Sequence, residues 1–238
     1  AGSAIKFRPL CTTSWRELKA NYLPLFAVAV IVFAIAHGVQ HLISHVIFDV
    51  ESPAIKLTSA PFLILFTVIA DVAYPAFSER VVSAEQMGHR RPGLVGAFRG
   101  IPWISLIAAD ITIAAIFTVG LSLLIIPGLI AGAFLLLVPP LLVMERKGVI
   151  STFKRSVGLS KGNFKQLFLI STICYFTFPF VTDAIAEALD PLLGTEAERY
   201  AIADVLPSAL LAPIAAVPIV MAAVFILRAE RESKSGAA

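Results

Sequence analysis

The stretch that decides the fold is residues 101–144, IPWISLIAADITIAAIFTVGLSLLIIPGLIAGAFLLLVPPLLVM, in which Asp110 is the one charged side chain. A membrane-spanning helix needs about 20 mostly apolar residues, so this stretch is long enough for two. Pro127 and Gly128 stand near its middle, where proline and glycine favour a break. We expect spans over 101–124 and 127–144; a re-entrant hairpin that enters and leaves on one side is the alternative.

The composition of the whole chain agrees with a membrane protein. Hydrophobic residues make up 58% of the 238 residues and charged residues 15%, whereas soluble domains have about 25% charged residues. In lipid, helices and closed barrels are the structures that satisfy all of their own backbone hydrogen bonds. The apolar runs here are continuous rather than alternating, which excludes a barrel. We therefore predict an all-α, polytopic helical membrane protein that forms a single domain over residues 1–238.

Six apolar stretches are long enough to cross a bilayer. They are residues 22–46, 60–78, 101–124, 127–144, 166–186 and 206–227. Apart from Lys56 and Arg199, every lysine and arginine lies in the N-terminal segment, the second-to-third connection, the fourth-to-fifth connection or the C-terminal tail. Because basic loops stay on the cytoplasmic side, both termini are expected there. The net charge of +3 then reflects topology, and no nucleic-acid partner is expected.

Two of the cytoplasmic connections mix basic and apolar residues. GVISTFKRSVGLSKGNF (148–164) has the pattern of a helix that lies at the membrane interface, and RRPGLVGAFRG (90–100) is a shorter version. Such segments attract anionic lipid headgroups, and simple anchoring is the other interpretation. The candidate headgroup-binding residues are Arg90, Arg91, Lys154, Arg155 and Lys161.

A short internal repeat precedes these connections. Ser78-Glu79-Arg80 and Met144-Glu145-Arg146 each end an outward-to-inward span in the predicted topology. Each precedes a basic connection and an inward-to-outward span. The arrangement is typical of parallel repeats related by an axis along the membrane normal.

A polar repeat closes the first predicted span. It consists of His37, His41, His45 and Asp49. Residues four apart share a helix face, and the outer two histidines are about 12 Å apart along the axis, so one metal ion needs ligands from another helix. Asp183 and Glu187, near the outer end of the fifth span, are candidates, and the set suits zinc or another transition metal. A proton-responsive stripe and an ordinary polar seam of a packed helix are the alternatives.

Two aspartates, Asp71 and Asp110, lie near the middle of predicted spans. An unpaired charge there costs at least about 2.5–3.5 kcal/mol. Thr67 and Tyr74 share a helix face with Asp71, which indicates a polar, hydrated stripe. These groups either hold helices together by hydrogen bonds or form a solute or proton pathway. The pathway candidates are Asp71, Tyr74, Thr67 and Asp110.

Residues 126–168, IPGLIAGAFLLLVPPLLVMERKGVISTFKRSVGLSKGNFKQLF, carry a family resemblance. With GHRRPGLVGAFRG and the final FILRAERES, they resemble the bacterial six-span family that includes the membrane domain of glycerophosphodiester phosphodiesterases and the YciC-like proteins. The resemblance covers most of residues 60–232. It implies a six-span fold in the bacterial cytoplasmic (inner) membrane and a loose link to lipids. It carries over no catalytic residue.

The motifs of soluble enzymes are missing from the sequence. There is no nucleophile elbow, phosphate-binding glycine loop, HExxH pair or cysteine-metal spacing, and Cys11 and Cys174 are too few for a disulfide framework. We therefore expect a non-enzymatic inner-membrane protein that handles or senses a small solute or lipid, or assists a membrane complex. A metal-dependent intramembrane enzyme or metal-binding protein that uses the histidine stripe is one alternative, and a structural, oligomer-forming module is another. The expected partners are the lipid bilayer, anionic headgroups, and a second copy or another membrane protein.

Overall fold

The computed structural model describes residues 6–48, 53–194, 202–203 and 205–235. Within the helices, it leaves the side chains at 40–48, 53–67, 70, 71, 123 and 176 undescribed. All regular secondary structure in the described ranges is helical. The predicted all-α class is therefore confirmed.

The helices follow one another as α1 (Phe7–Phe48), α2 (Pro53–Gln86), α3 (Leu94–Arg99), α4 (Trp103–Leu123), α5 (Ile125–Leu135), α6 (Val138–Glu145), α7 (Val149–Lys161), α8 (Phe164–Thr172), α9 (Phe178–Leu189) and α10 (Leu206–Ser235). A π-helical turn, Ile173–Thr177, joins α8 to α9. A 3-10 turn, Asp190–Leu192, follows α9.

In the described part of the chain, five helical segments are long and apolar enough to cross a membrane. They are Phe7–Val39, Trp103–Ser122, Ile125–Glu145, Phe164–Leu192 and Leu206–Ser235. The chain is thus a multi-pass helical membrane protein, and its surface contacts a lipid bilayer. The predicted count of six spans is not confirmed. The remaining predicted span, 60–78, lies within α2, where many side chains are outside the description.

The break between the third and fourth predicted spans falls at Leu124 rather than at Pro127-Gly128. Leu124 has an extended backbone, with φ −166° and ψ 146°, and α5 begins at the next residue. Pro127 therefore lies in the first turn of α5. Backbone N–H groups in a first turn have no hydrogen-bond partner within the helix, so a proline there breaks no helical hydrogen bond. Gly120 and Gly128 face each other across the turn, and a Cβ atom on Gly120 would lie 2.8 Å from the Gly128 Cα. The backbones of α4 and α5 are therefore in direct contact at these two glycines.

The lengths of the two legs favour two full crossings over a re-entrant hairpin. Trp103–Ser122 has 20 residues and Ile125–Glu145 has 21, so each leg is about 30 Å long and matches the hydrocarbon thickness of about 30 Å. The side chain of Arg146, just after α6, donates to the carbonyl oxygen of Gly100, just before α4, at 3.4 Å. Both ends of the pair therefore lie at the same side of the bundle.

A second interruption divides α5 from α6. Pro139 and Pro140 have no N–H, so the carbonyl oxygens of Leu135 and Leu136 have no helical donor four residues later. The helix α7 packs over this point, where the Ser156 hydroxyl donates to the carbonyl oxygen of Phe134 at 2.6 Å. The kinked fourth span is thus covered by the connection that follows it.

The buried face of α7 is polar rather than apolar. Thr152, Ser156 and Ser160 are spaced four apart and are all buried, whereas Ile150 is 75% exposed. Small side chains allow close approach between helices in membrane proteins. The segment predicted to lie at the interface therefore also packs directly on the bundle, through its small hydroxyl side chains.

The apolar core forms where α1, α2, α6, α8 and α10 meet. Its largest fully buried side chains include Leu10, Leu25, Leu136, Leu141, Leu167 and Met221. A second cluster packs α4 against α2 and α6 around Val72, Leu106 and Leu142. In contrast, α9 has no buried residue. Members of both clusters line a cavity between them.

Candidate functional site

A cavity of about 390 Å³, partly open to the surface, lies among α1, α2, α4, α6, the π-helical turn and α10. Its wall is mostly apolar, with Phe33, Leu106 and Ile219 among the contributors. Into this apolar wall are set the polar side chains of Tyr74, Ser78, Glu79, Asp110, Cys174 and Tyr175. Small-molecule sites in proteins have this combination of an apolar wall and a few polar groups.

Glu79 is the more deeply buried of the two acids among the described residues of this wall. Glu79 is 3% exposed, and its Oε2 has no hydrogen-bond partner among the described residues. The helix α2 continues to Gln86, seven residues further, so Glu79 lies about 10 Å inside the end of the helix. Arg80, its neighbour in sequence, donates instead to the carbonyl oxygen of Gly100 at 2.8 Å. The acid faces the cavity while the base binds the α3–α4 connection.

Tyr74, also a residue of the cavity wall, carries a second unsatisfied polar atom. It is 2% exposed, and its ring packs against Phe33 with centroids 5.8 Å apart. Its hydroxyl has no hydrogen-bond partner within the described part of the chain. The nearby Ser78 hydroxyl, in contrast, donates to the carbonyl oxygen of Pro75 at 2.7 Å. Because buried polar groups are nearly always hydrogen-bonded, two orphan atoms in one cavity indicate a place for a polar ligand.

Asp110 and Tyr175 complete the polar lining from the opposite elements. Asp110 projects from α4, and both it and Glu79 are within electrostatic range of Tyr175. Tyr175 belongs to the π-helical turn, and its ring contacts Phe117 of α4 with centroids 5.7 Å apart. The Cys174 thiol donates to the carbonyl oxygen of Ala215 at 3.6 Å and so joins the turn to α10. Single π-helical turns within α-helices occur frequently at functional sites.

The structure brings together part of the predicted pathway. Tyr74 and Asp110 line the same cavity, as a shared pathway requires. The side chains of Thr67 and Asp71 lie outside the described residues. The predicted solute or proton pathway therefore stays a prediction for all four residues.

Glu79 is the residue that sequence reasoning missed. The predicted span of 60–78 ended one residue before it, because Glu79 and Arg80 together resembled the polar end of a span. The available signal was its spacing: Val72, Ala76 and Glu79 follow the i, i+4, i+7 pattern of one helix face. That face lines the cavity.

The histidine stripe is described only in part. His37 is half-buried, and its ring packs against Phe33 with centroids 6.3 Å apart. The side chains of His41 and His45, and all of Asp49, lie outside the description.

The proposed partners of the stripe, Asp183 and Glu187, are exposed on α9. Within the described ranges, no three His, Cys, Asp or Glu side chains are grouped so that they could hold a metal ion. The zinc interpretation and the proton-responsive interpretation therefore stay predictions.

Arg155 joins three helices at the basic end of the bundle. Its guanidinium contacts Glu145 of α6 and Glu230 of α10, each at 2.7 Å. Burial alone would lower the pKa of Arg155, but hydrogen bonds and the charges of the two carboxylates outweigh burial and raise it. Its donors thus serve two carboxylates of the protein, and the predicted headgroup contact of Arg155 stays a prediction.

The other candidate headgroup residues lie at the surface. Arg91 forms an ion pair with Glu85. Arg90, Lys154 and Lys161 are exposed. The headgroup prediction stays a prediction for these residues.

The internal repeat of the Glu-Arg pair has a structural counterpart. Arg80 and Arg146, the arginines of the two Glu-Arg pairs, both donate to the carbonyl oxygen of Gly100, at 2.8 and 3.4 Å. The glutamates differ, since Glu79 faces the cavity and Glu145 pairs with Arg155. One copy of the motif therefore supplies a buried acid and the other an ion pair.

Comparison with known proteins adds no family to this description. None of the protein-family models, curated proteins or solved structures compared with the chain matches it. Its function is therefore inferred from the cavity and from the residues that line it.

Proposed function

We propose that this protein binds a small organic solute within the membrane, in the cavity around Glu79. The observation that carries the proposal is the unpartnered Oε2 of Glu79 inside a cavity of about 390 Å³. Binding sites for small molecules have volumes of about 300–1,000 Å³. Leaving a buried polar atom without a partner is costly, and a solute with a hydrogen-bond donor removes that cost.

The chemistry of the wall supports binding rather than catalysis. The Ser78 hydroxyl and the Cys174 thiol, two of the wall's potential nucleophiles, donate to the backbone carbonyl oxygens of Pro75 and Ala215. Neither is hydrogen-bonded to a base, as an activated nucleophile is. The first of the sequence hypotheses, a non-enzymatic protein that handles or senses a small solute, is the one we retain.

The proposal places the protein in the bacterial cytoplasmic membrane, as a member of the six-span family that its motifs resemble. Both termini are on the cytoplasmic side. The contacts between helix ends support one shared basic face: Arg228 of α10 donates to the backbone carbonyl of Gln86 at the end of α2, and Arg155 joins α6, α7 and α10. Basic residues gathered at one end of a bundle are typical of the cytoplasmic side.

A lipid ligand is a second candidate, and one feature favours it. An apolar groove of about 260 Å³ runs between the N-terminal part of α1, the π-helical turn and α10, with Leu10, Trp15 and Phe178 in its wall. Cys174 lines both this groove and the cavity. An acyl chain in the groove would lie against the cavity wall.

Thermal unfolding of the purified full chain, followed by intrinsic fluorescence, tests the solute proposal. The solutes are phenethylammonium, phenethyl alcohol and phenylacetate, which share a phenyl ring and differ in charge. Ala216→Leu adds bulk to the cavity wall, and Ala115→Leu adds the same bulk at an exposed position of α4.

We expect at least one solute to raise the Tm of the unaltered protein and of Ala115→Leu, with no shift for Ala216→Leu. Equal shifts in the two variants, or no shift with any solute, would refute binding in the cavity. A shift obtained only with added phospholipid would transfer support to the lipid candidate.

A further inference from the structure

We infer that the solute is a small organic cation, a primary ammonium with an apolar body, whose N–H groups bond to Glu79 and Tyr74. This inference rests on the proposed function and specifies the ligand class of the same cavity. Three features of the wall carry it: its charge, its unsatisfied acceptors and its aromatic rings.

The charge of the wall selects a cation. Its described residues include the carboxyl groups of Glu79 and Asp110 and no lysine, arginine or histidine. The adjacent Arg80 is directed to the carbonyl oxygen of Gly100, and neither carboxyl group forms an ion pair with any described residue. An ionised carboxylate inside a membrane is costly without a counter-charge. A cation supplies that charge, whereas an anionic solute would add a like charge.

The unsatisfied atoms of the wall favour a solute that carries hydrogen-bond donors. The Oε2 of Glu79 can accept hydrogen bonds, and the hydroxyl oxygen of Tyr74 can accept them as well. A primary ammonium carries three N–H donors, so a solute of this class can donate to more than one unsatisfied acceptor. A quaternary ammonium has the same charge and no N–H, and it leaves both atoms without a partner.

The remaining wall selects an apolar body with a cationic end. Phe33 and Tyr175 offer aromatic rings to the cavity, and such rings attract ammonium groups. Val72, Leu106 and Ile219 are apolar, so the body of the solute gains by leaving water. Simple inorganic cations lack this body.

Binding of the cation is coupled to release of a proton. When the carboxyl group of Glu79 holds a proton, entry of the ammonium displaces it to the solvent, and a carboxylate–ammonium pair remains. The titratable groups that face Glu79 are Asp110 from α4, Cys174 and Tyr175 from the π-helical turn, and Tyr74 from its own helix. The described wall residues of α1, α6 and α10 include no titratable group. Over the pH range in which the empty site holds this proton and the solute remains an ammonium, affinity therefore rises with pH, by up to about tenfold per unit for one proton released.

Equilibrium titration of the full chain in nanodiscs of uncharged phosphatidylcholine tests the ligand class. The titrants are phenethylammonium, its neutral counterpart phenethyl alcohol, and phenethyltrimethylammonium, which has charge without N–H groups. Glu79→Gln removes the charge at the site, and Glu232→Gln makes the same change at an exposed position of α10.

We expect phenethylammonium to bind at least about tenfold more tightly than either of the other two titrants. Glu79→Gln should abolish this preference, and Glu232→Gln should retain it. Tyr74→Phe keeps the ring and removes the hydroxyl. It should weaken the binding of phenethylammonium and leave the binding of the other two titrants unchanged, so the inference is tested by a second variant.

The outcomes separate this inference from the proposed function. If phenethyl alcohol binds as tightly as phenethylammonium and Ala216→Leu blocks both, the cavity binds solutes and the cation class is refuted. If no titrant binds, both are refuted. If phenethylammonium binds Glu79→Gln and Ala216→Leu as tightly as the unaltered protein, its site is elsewhere and the inference falls.

Discussion

Glu79 and Arg80 are adjacent in the sequence, and the helix turns them to different surroundings. The 100° between successive residues of a helix directs the carboxyl group to the cavity and the guanidinium to the carbonyl oxygen of Gly100. A sequence shows that an acid and a base are neighbours, and it does not show that they are unpaired. Asp110 and Tyr74 were recognisable as polar residues within apolar runs. Glu79 was not, because Glu79 and Arg80 together have the charged pattern that is typical of the end of a span.

The hydroxyl of Tyr74 provides a prediction at this scale. Tyr74→Phe removes a buried hydroxyl that has no partner, so the solute-free protein should gain about 1 kcal/mol of stability. Tyr22→Phe is the matched control, because the Tyr22 hydroxyl donates to the carbonyl oxygen of Leu210 at 3.1 Å. That change should cost about 1 kcal/mol. Chemical unfolding in detergent measures both, and a loss of stability in Tyr74→Phe would show that its hydroxyl has a partner.

At the scale of the element, the hairpin of α4 and α5 depends on two glycines. A Cβ on Gly120 would lie 2.8 Å from the Cα and 3.1 Å from the backbone nitrogen of Gly128. Backbone atoms cannot move aside as a side-chain end can, so Gly120→Ala should cost about 1–3 kcal/mol. Gly158→Ala on α7 has open space around its Cβ and should gain up to about 1 kcal/mol from helix propensity. Equal unfolding free energies for the two variants would contradict the close helix approach.

The docking of α7 gives a second prediction for an element. The hydroxyl of Ser156 is the nearer of two that donate to the carbonyl oxygen of Phe134, at 2.6 Å. Ser156→Ala should therefore lower the unfolding free energy by about 1 kcal/mol. Ser151→Ala, at an exposed position of the same helix, should change it by less than about 0.5 kcal/mol. A null effect at Ser156 would indicate that α7 is held by its other contacts.

The elements show where hydrophobic pattern is informative in lipid and where it is not. Apolar runs located the long helices, because crossing hydrocarbon requires such runs. The same pattern did not show which face of α7 packs, since both the lipid and the core accept apolar side chains. Small residues mark helix contacts in membranes, and Thr152, Ser156 and Ser160 are the buried residues of α7. The break at Leu124 was placed only approximately for a similar reason, because proline is accommodated in a first turn as readily as in a break.

At the scale of the molecule, the cavity unites side chains from α1, α2, α4, α6, the π-helical turn and α10. Its residues range from Phe33 to Val220 in the chain, and no local pattern brings them together. The sequence predicted a helical membrane bundle and a few of its polar residues. The meeting of Glu79, Tyr74, Asp110 and Tyr175 in one apolar cavity depends on tertiary packing.

The central claim is that Glu79 lies in an apolar cavity that admits a small organic molecule, and labelling with N,N′-dicyclohexylcarbodiimide tests it most directly. This apolar reagent adds to carboxylic acids, and mass spectrometry of the digested protein locates the adduct. We predict an adduct on Glu79 that is suppressed by phenethylammonium and by Ala216→Leu, with little modification of the exposed Glu232. Adducts on exposed carboxylates such as Glu232, with Glu79 unmodified, would contradict the account.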